Sequence, residues 1–477
     1  MATTPRDAHG KALALNLDPT WYGTFAEIGA GQEVARHFLR AGGASGTIAQ
    51  TICAYDKAFS DATYGAGTRY VSRERLLAML AHEYDLVADR LGPTLGAATR
   101  FFVFADTVSA RNFQGTNEQH GWVGVRFQAT PGAPPSDVLL HVNLADRSNL
   151  LQQQAVGLLG VNLTYAAACQ RGSAAEFLGG LFHELSAERV EVDVIELVGP
   201  AWDGQDGRAW SIEVLRRGMA RALVFDSGGG GVVGGGARLA EPAAVFRKRA
   251  VLVEQGEFDP IEPYHLDMLR DAARQLAAEG SAAPGRPPAV TTALTLRPAA
   301  AAGAGPVPPA AEVLDRVARL VAFGPVIVSE MAEAYHLSAY LRRYTQDEVR
   351  LVLGVSGLVK VFQDHFYTDL PGQLLEGMGK LLASNVKVYA HPMSCRDFAA
   401  ALRGTSVDRS EIVSTPSGVV TARDLRPRMP VAHLYAYLLD GGWIVPLTSG
   451  VDGGGGDGPH AAGTAGQQPR GSTTGVP

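Results

Sequence analysis

The residues with chemistry to offer begin at Glu27-Ile28-Gly29-Ala30-Gly31, an acid and two glycines ahead of Glu33 to Ala41, whose apolar spacing predicts a helix. Gly29 and Gly31 let the backbone approach a ligand, and the helix that follows would turn unpaired N–H groups toward an anion. Close packing at the start of the helix accounts for the same residues. A second turn, Gly42-Gly43-Ala44-Ser45-Gly46-Thr47, can form a nest of amides with a Ser45 or Thr47 hydroxyl facing a phosphate, or an ordinary connection capped by Ser45. Asp106 closes the run RFFVFA, Asp226 closes ALVF and His391 closes VKVYA, and open α/β sheets gather functional groups beyond the carboxyl ends of their strands. Asp106 can bind a ribose, a cation or a proton, or cap the next segment. His120, in the polar loop NEQHGW, can serve as acid or base near neutral pH or be merely solvated. The loop WDGQDGR, with Asp206, reads as a substrate or cation loop or as a turn holding a salt bridge. Glu330, Tyr335, His336 and Arg343 gather at the start of the second half, although Arg343 also suits the dipole at a helix end.

Several familiar signatures fail on inspection. The turn at Glu27 resembles the first motif of nucleotide-dependent methyltransferases, but Gln32 and Glu33 stand where a third glycine belongs. A triphosphatase loop needs a lysine before Thr47, and Gly46 is there. His183-Glu184 lacks the second histidine of a zinc-protease helix, since Ala187 occupies that position. No Gly-x-Ser-x-Gly elbow occurs. Three scattered cysteines exclude a disulfide framework and a thiolate zinc site. No metal site is assigned, and the cofactor is left open.

The elements that must position these groups follow from periodicity. Glu33 to Ala41, Thr47 to Ala58 and Glu74 to Leu91, the last capped by Ser72, read as helices, so the opening is mostly helical. Arg100 to Ala105, Trp122 to Gln128, Asp137 to Leu144 and Val190 to Leu197 read as strands, with helices at Ser148 to Gln170 and Ala174 to Glu188. The second half alternates strands at Val326, Val349 and Val386 with helices, a βαβαβ pattern. Low-complexity runs divide the chain into an N-terminal lobe at 1–279, a linker or loop at 280–309, a C-terminal lobe at 310–451 and a disordered tail at 452–477. FAEIGAGQEVARHFLR from Phe25 and VSEMAEAYHLSAYLRR from Val328 share spaced acidic and basic residues, which suggests an internal duplication.

A chain of 477 residues, 46% hydrophobic, buries a full core. Its formal net charge of -6 argues against a general nucleic-acid or anionic-membrane binder. No apolar run reaches the roughly 20 residues of a membrane span, because Leu150 to Cys169 is broken by glutamines and Asn162. The first residues lack the apolar core of a secretory signal, so the expected compartment is the cytoplasm.

The segments FAEIGAGQEVARHFLRAGGASGTIAQTICAYDKAFSD, SEMAEAYHLSAYLRRYT, LVLGVSGL, FYTDLPGQLLEGMGKLL and HLYAYLL together resemble a widespread family of large soluble bacterial-type proteins of uncertain function, labelled inconsistently as nicotinate-nucleotide adenylyltransferase or TonB-dependent receptor. The resemblance covers nearly all of the chain outside the glycine- and alanine-rich insertions, and it implies no catalytic residues. The first label needs a His-x-x-His pair that this chain lacks, and the second needs membrane strands and a leader.

The expectation is therefore an α/β protein of two Rossmann-like lobes with parallel or mixed sheets. It binds or acts on a nucleotide or phosphorylated small molecule through Glu27, Gly29, Gly31, Gly43, Ser45, Gly46, Thr47, Glu330 and Arg343. Asp106, His120 and Asp206 are the catalytic candidates. The alternatives are a non-catalytic scaffold or regulator and, third, a nucleotidyltransferase. A small anionic molecule is the expected partner, rather than nucleic acid or membrane. Whether the chain is an enzyme, and its oligomeric state, are left open.

Overall fold

The computed structural model describes residues 7–67, 69–228, 236–280, 286–296, 308–403 and 418–448. The tail expected at 452–477 lies outside them. Helix α1 (Ala8–Asn16) leads into β1 (Trp21–Ile28), α2 (Glu33–Ala41), β2 (Ile48–Ile52), α3 (Lys57–Tyr64) and α4 (Arg73–Leu95). Then come β3 (Arg100–Ser109), β4 (His120–Gln128), β5 (Pro135–Leu144), α5 (Asn149–Cys169), α6 (Ala174–Leu181), β6 (Val190–Val198) and α7 (Gly207–Arg216). These strands form one sheet in the order β2-β1-β3-β4-β5-β6. The first three are parallel and the rest form an antiparallel meander.

The second sheet uses β7 (Ala222–Asp226), β8 (Arg238–Leu239), β9 (Val251–Gly256), β10 (Ala289–Thr295), β11 (Val326–Ser329), β12 (Val349–Gly354), β13 (Val386–His391) and, after the small ribbon β14 (Met393–Ser394) with β15 (Val419–Val420), β16 (Ile444–Pro446). Helices α8 (Pro242–Phe246), α9 (Pro263–Ala278), α10 (Ala310–Leu320), α11 (Ala334–Leu341), α12 (Val355–Val361), α13 (Gln373–Leu381), α14 (Cys395–Ala401) and α15 (Val431–Asp440) connect them. The order is β16-β13-β12-β9-β10-β11-β7-β8. From β9 the chain winds outward through β10 and β11, then returns to the other side for β12, β13 and β16, all parallel. That is the doubly wound arrangement, with its reversal between β9 and β12.

Several expectations change. Thr47 to Ala58 is not a helix: Ile48–Ile52 is an edge strand whose residues alternate between half-buried and exposed, a two-residue period where a helical one was read. The opening also holds β1, buried although Gly23, Thr24 and Glu27 interrupt its apolar pattern. The stretch 280–309 is more than a linker, since β10 within it is an inner strand of the second sheet, and that sheet starts at Ala222. Its alanine- and proline-rich flanks masked the buried run AVTTALT. The duplication does not hold in three dimensions: β1 and β2 are neighbours, whereas their counterparts β11 and β12 are separated by β10 and β9. The shared pattern is what any amphipathic helix beside a strand produces.

The two sheets share one core. An apolar cluster runs from Phe38, Phe104 and Leu159 through Val192, Trp202 and Trp210 to Phe225, Leu294 and Val326. Within the first sheet, a Cβ added at Gly23 would lie 1.9 Å from the Phe102 carbonyl oxygen, a backbone atom that cannot swing aside. Gly23→Ala is therefore expected to destabilise the fold by about 3 kcal/mol in chemical denaturation, the upper range for overpacking.

Candidate functional site

Gly29 faces the Val108 carbonyl, 2.0 Å from where a Cβ would stand, so it serves close packing. Gly31 lies beside Gln153, and Gly43 beside Leu17 and Asn16. The turn from Gly42 to Thr47 leads into strand β2 rather than a helix; Ser45 and Gly46 are exposed, while Thr47 is buried and donates to the Asn16 carbonyl. Asp106 does not end its strand. β3 continues to Ser109, and Asp106 is fully buried beside Glu27 in the parallel register. Asp206 caps α7 and pairs with Arg208, the structural reading of that loop. Asp226 ends β7, which runs antiparallel to β11 and so points to the opposite edge from the parallel strands. His391 does end β13 and contacts Asp271 at 3.1 Å. Glu330 directly follows β11.

His120 is different. It opens β4 rather than sitting in a loop, is 7% exposed, and stands opposite Asn143 of β5. Its Nδ1 lies 3.0 Å from Nε2 of His141, two strand positions from Asn143 on the same face. The other ring nitrogen of His141 contacts Asp193 Oδ1 at 2.6 Å, and Asn143 donates to Asp193 Oδ2 at 2.7 Å. Asp193 reaches that face through a bulge. The pairing shifts between His141 and Val142, which sit opposite Val194 and Val192, leaving Asp193 as the extra residue on β6. Its carboxylate is thereby re-aimed toward the imidazole, a use bulges commonly serve.

The third member comes from the other sheet. Glu241 precedes α8, yet its carboxylate caps nothing. It turns instead to Arg69 at 3.3 Å and to His120 Nδ1 at 3.7 Å. One donor atom each from His120, His141 and Glu241 all lie within 4.8 Å of one another. Tetrahedral zinc bonds of about 2.0–2.1 Å place ligand atoms roughly 3.3 Å apart; two sides of the triangle, 3.0 and 3.7 Å, bracket that value, while the side from His141 to Glu241 is longer, within 4.8 Å, and would have to close on a bound ion. His141 held by a carboxylate through its far nitrogen is the usual support of a metal-binding imidazole. Burial and the neighbouring His141 push His120 down to about 4, leaving it a neutral ring with a lone pair to offer. Burial also pulls on His141, but the Asp193 carboxylate outweighs it and holds that ring above the ordinary range.

Clefts flank the triangle, one touching its two histidines and the other its glutamate. A cleft of about 380 Å³ is lined by His120, His141, Asn143, Arg343 and Tyr344, which brings Arg343 from α11's end into the site, tied to Glu191 at 3.0 Å. A second cleft of about 580 Å³ lies past Glu241. Three protein ligands and an accessible remaining position are the pattern of catalytic rather than structural zinc. Sequence reasoning singled out His120 and Arg343 but missed His141, Asp193 and Glu241. The available signal was a histidine and an aspartate inside the otherwise apolar runs DVLLHVNL and VEVDVIELV.

No family model matches the chain, and no curated protein matches it. Among solved structures it is similar to the competence/damage inducible protein CihA of Agrobacterium tumefaciens, with 18% identity and a TM-score of 0.26 over 35% of this chain and 98% of that one. A competence-damaged protein (CinA) superfamily protein of Enterobacter cloacae gives 13% identity and a TM-score of 0.25 over 35% of this chain and 93% of that one. One of Klebsiella pneumoniae gives 13% and 0.25 over 34% and 95%. Likeness at that level assigns neither a family nor a function. Among the described residues no helix is long and apolar enough to cross a membrane.

Proposed function

We propose that the chain is a metal-dependent hydrolase whose centre lies between its two sheets. The observation that carries this reading is the convergence of His120 Nδ1, His141 Nε2 and a Glu241 oxygen, with Asp193 fixing the second imidazole from behind. His120, His141 and Glu241 would hold a divalent ion, which would supply a water activated near neutral pH. In hydrolysis the water oxygen bonds to the electrophilic atom of the substrate, the bond to the leaving group breaks, and the water proton passes to that group. The step needs no oxidant or reductant. The phosphorylated or nucleotide-like ligand read from sequence keeps its chemistry, but its seat shifts from the glycine turns to the clefts beside His120.

The test is metal binding by the full chain. Protein stripped with a chelator and reloaded with zinc is expected to retain about one ion per chain after desalting, the load of a single three-ligand site. Cobalt in its place should give the intense visible bands of a four-coordinate centre. His120→Ala should remove both signals. Full retention of zinc by that variant, or no retention by the parent, would overturn the reading.

A further inference from the structure

The cleft beyond Glu241 carries an unusual concentration of guanidinium groups. Arg69, Arg73 and Arg75, around the start of α4, and Arg238 of β8 line its wall of about 580 Å³. Three acids share that wall, Glu74, Glu196 and Glu241, and Asp61 holds Arg75, so the three guanidiniums left facing the space are matched by three carboxylates. A divalent ion held at Glu241 would make the field positive, and the guanidinium donors left over from these pairs favour a compact polyanion.

The donors are also available. Arg73 binds Glu196 through Nε and Nη2, which leaves Nη1 without a protein partner among the described residues. Arg69 makes one contact with Glu241 and its side chain is 46% exposed. Arg238 is exposed and stands opposite Asp226 in the β7–β8 register. Arg75, by contrast, is 3% exposed and tied to Asp61, so it supports the wall rather than reaching into the space. Planar guanidinium forks match the oxygens of a phosphate, which a point charge such as lysine does not.

We infer that this cleft holds the phosphate group of a small phosphorylated substrate, with Glu241 as the shared wall between the anion seat and the metal. The inference rests on the hydrolase reading for its reaction, but the anion seat itself can be measured without an ion. The volume lies within the range of sites that enclose a mononucleotide-sized molecule.

Inorganic pyrophosphate is the probe, titrated calorimetrically into the full chain with and without zinc, alongside Arg238→Ala and Arg238→Glu. Binding by the parent protein, at least tenfold weaker in Arg238→Ala and lost in Arg238→Glu, is the expected result, with zinc affinity unchanged because Arg238 touches none of the three ligands. Arg238-dependent binding in a protein that takes up no zinc would support the anion seat while overturning the metal centre alone. Absence of pyrophosphate binding in both states, or equal binding by parent and variants, would overturn the inference even if zinc binds.

Discussion

His141→Ala is expected to abolish zinc uptake and to lower folding stability by about 3 kcal/mol, because it removes a metal ligand and strands a buried carboxylate at once. His141 is 1% exposed and Asp193 4%, so the ion pair they form has no water to replace either partner. Asp193→Asn leaves the ligand itself in place. An asparagine oxygen still accepts from the imidazole, so the ring keeps its orientation, but the negative charge that makes it a better ligand is gone. Affinity for zinc should fall about 10- to 100-fold, the usual cost of losing a carboxylate behind a ligating histidine, and stability should fall by about 1–3 kcal/mol because the new amide NH2 meets the buried Asn143 NH2 that donated to Oδ2. Glu241→Gln should weaken zinc more than it weakens the fold, since Glu241 lies ahead of a short helix that it does not cap. Competition against a chromophoric chelator gives the affinities and denaturant titration gives the stabilities. Zinc binding by His141→Ala at the parental affinity would sink the centre, whatever the effect on folding.

How much of this was legible in the sequence depends on whether the information is local. Ser72 followed by an amphipathic run gave α4, and β-branched and aromatic runs gave β3, β4 and β5, because caps and periods are written within a few residues. The centre is not written that way. His120 and His141 are 21 residues apart and His141 and Asp193 are 52 apart. They meet only because an antiparallel meander sets their register and one bulge turns Asp193 to the right face. Glu241 comes from the connection after β8 of the second sheet, whose first strand at Ala222 is legible from its apolar run but falls in the first lobe when the glycine- and alanine-rich stretches are taken as domain boundaries. Strand β1 escaped for another reason: its acid is paired with backbone of the next helix, and that partnership has no signature along the chain.

That acid carries the second large effect. Glu27 and Asp106 sit side by side in register on β1 and β3, 2% and 0% exposed. Glu27 accepts from the Val34 and Ala35 N–H groups of α2 at 3.0 and 2.8 Å. Asp106 accepts only from the Ile28 N–H at 3.1 Å, and its second oxygen has no partner. Burial pushes Glu27 up to about 7, against the pull of those two amides. Burial, and then the charge of Glu27, hold Asp106 well above the usual carboxylate range. Both groups therefore favour the protonated form when folded, so their contribution to stability is complete below the unfolded carboxyl range and is lost as pH rises. For Glu27 the window runs from the ordinary 4.5 to about 7, and the loss across it is about 3 kcal/mol at 1.36 kcal/mol per unit. Melting temperature should accordingly fall between pH 5 and 8 by more than surface carboxylates can explain. Asp106→Asn keeps the acceptor for Ile28 and removes the ionisable neighbour, so it should flatten that fall and stabilise the protein by roughly 1–2 kcal/mol at pH 8 while changing little at pH 5. Glu27→Ala, in contrast, orphans two buried amides and should cost about 2–3 kcal/mol at pH 5, a cost that shrinks toward pH 8 because the variant no longer carries the acid whose ionisation burdens the parent. An unchanged pH profile in Asp106→Asn would mean that the two acids do not compete for protons in the folded chain.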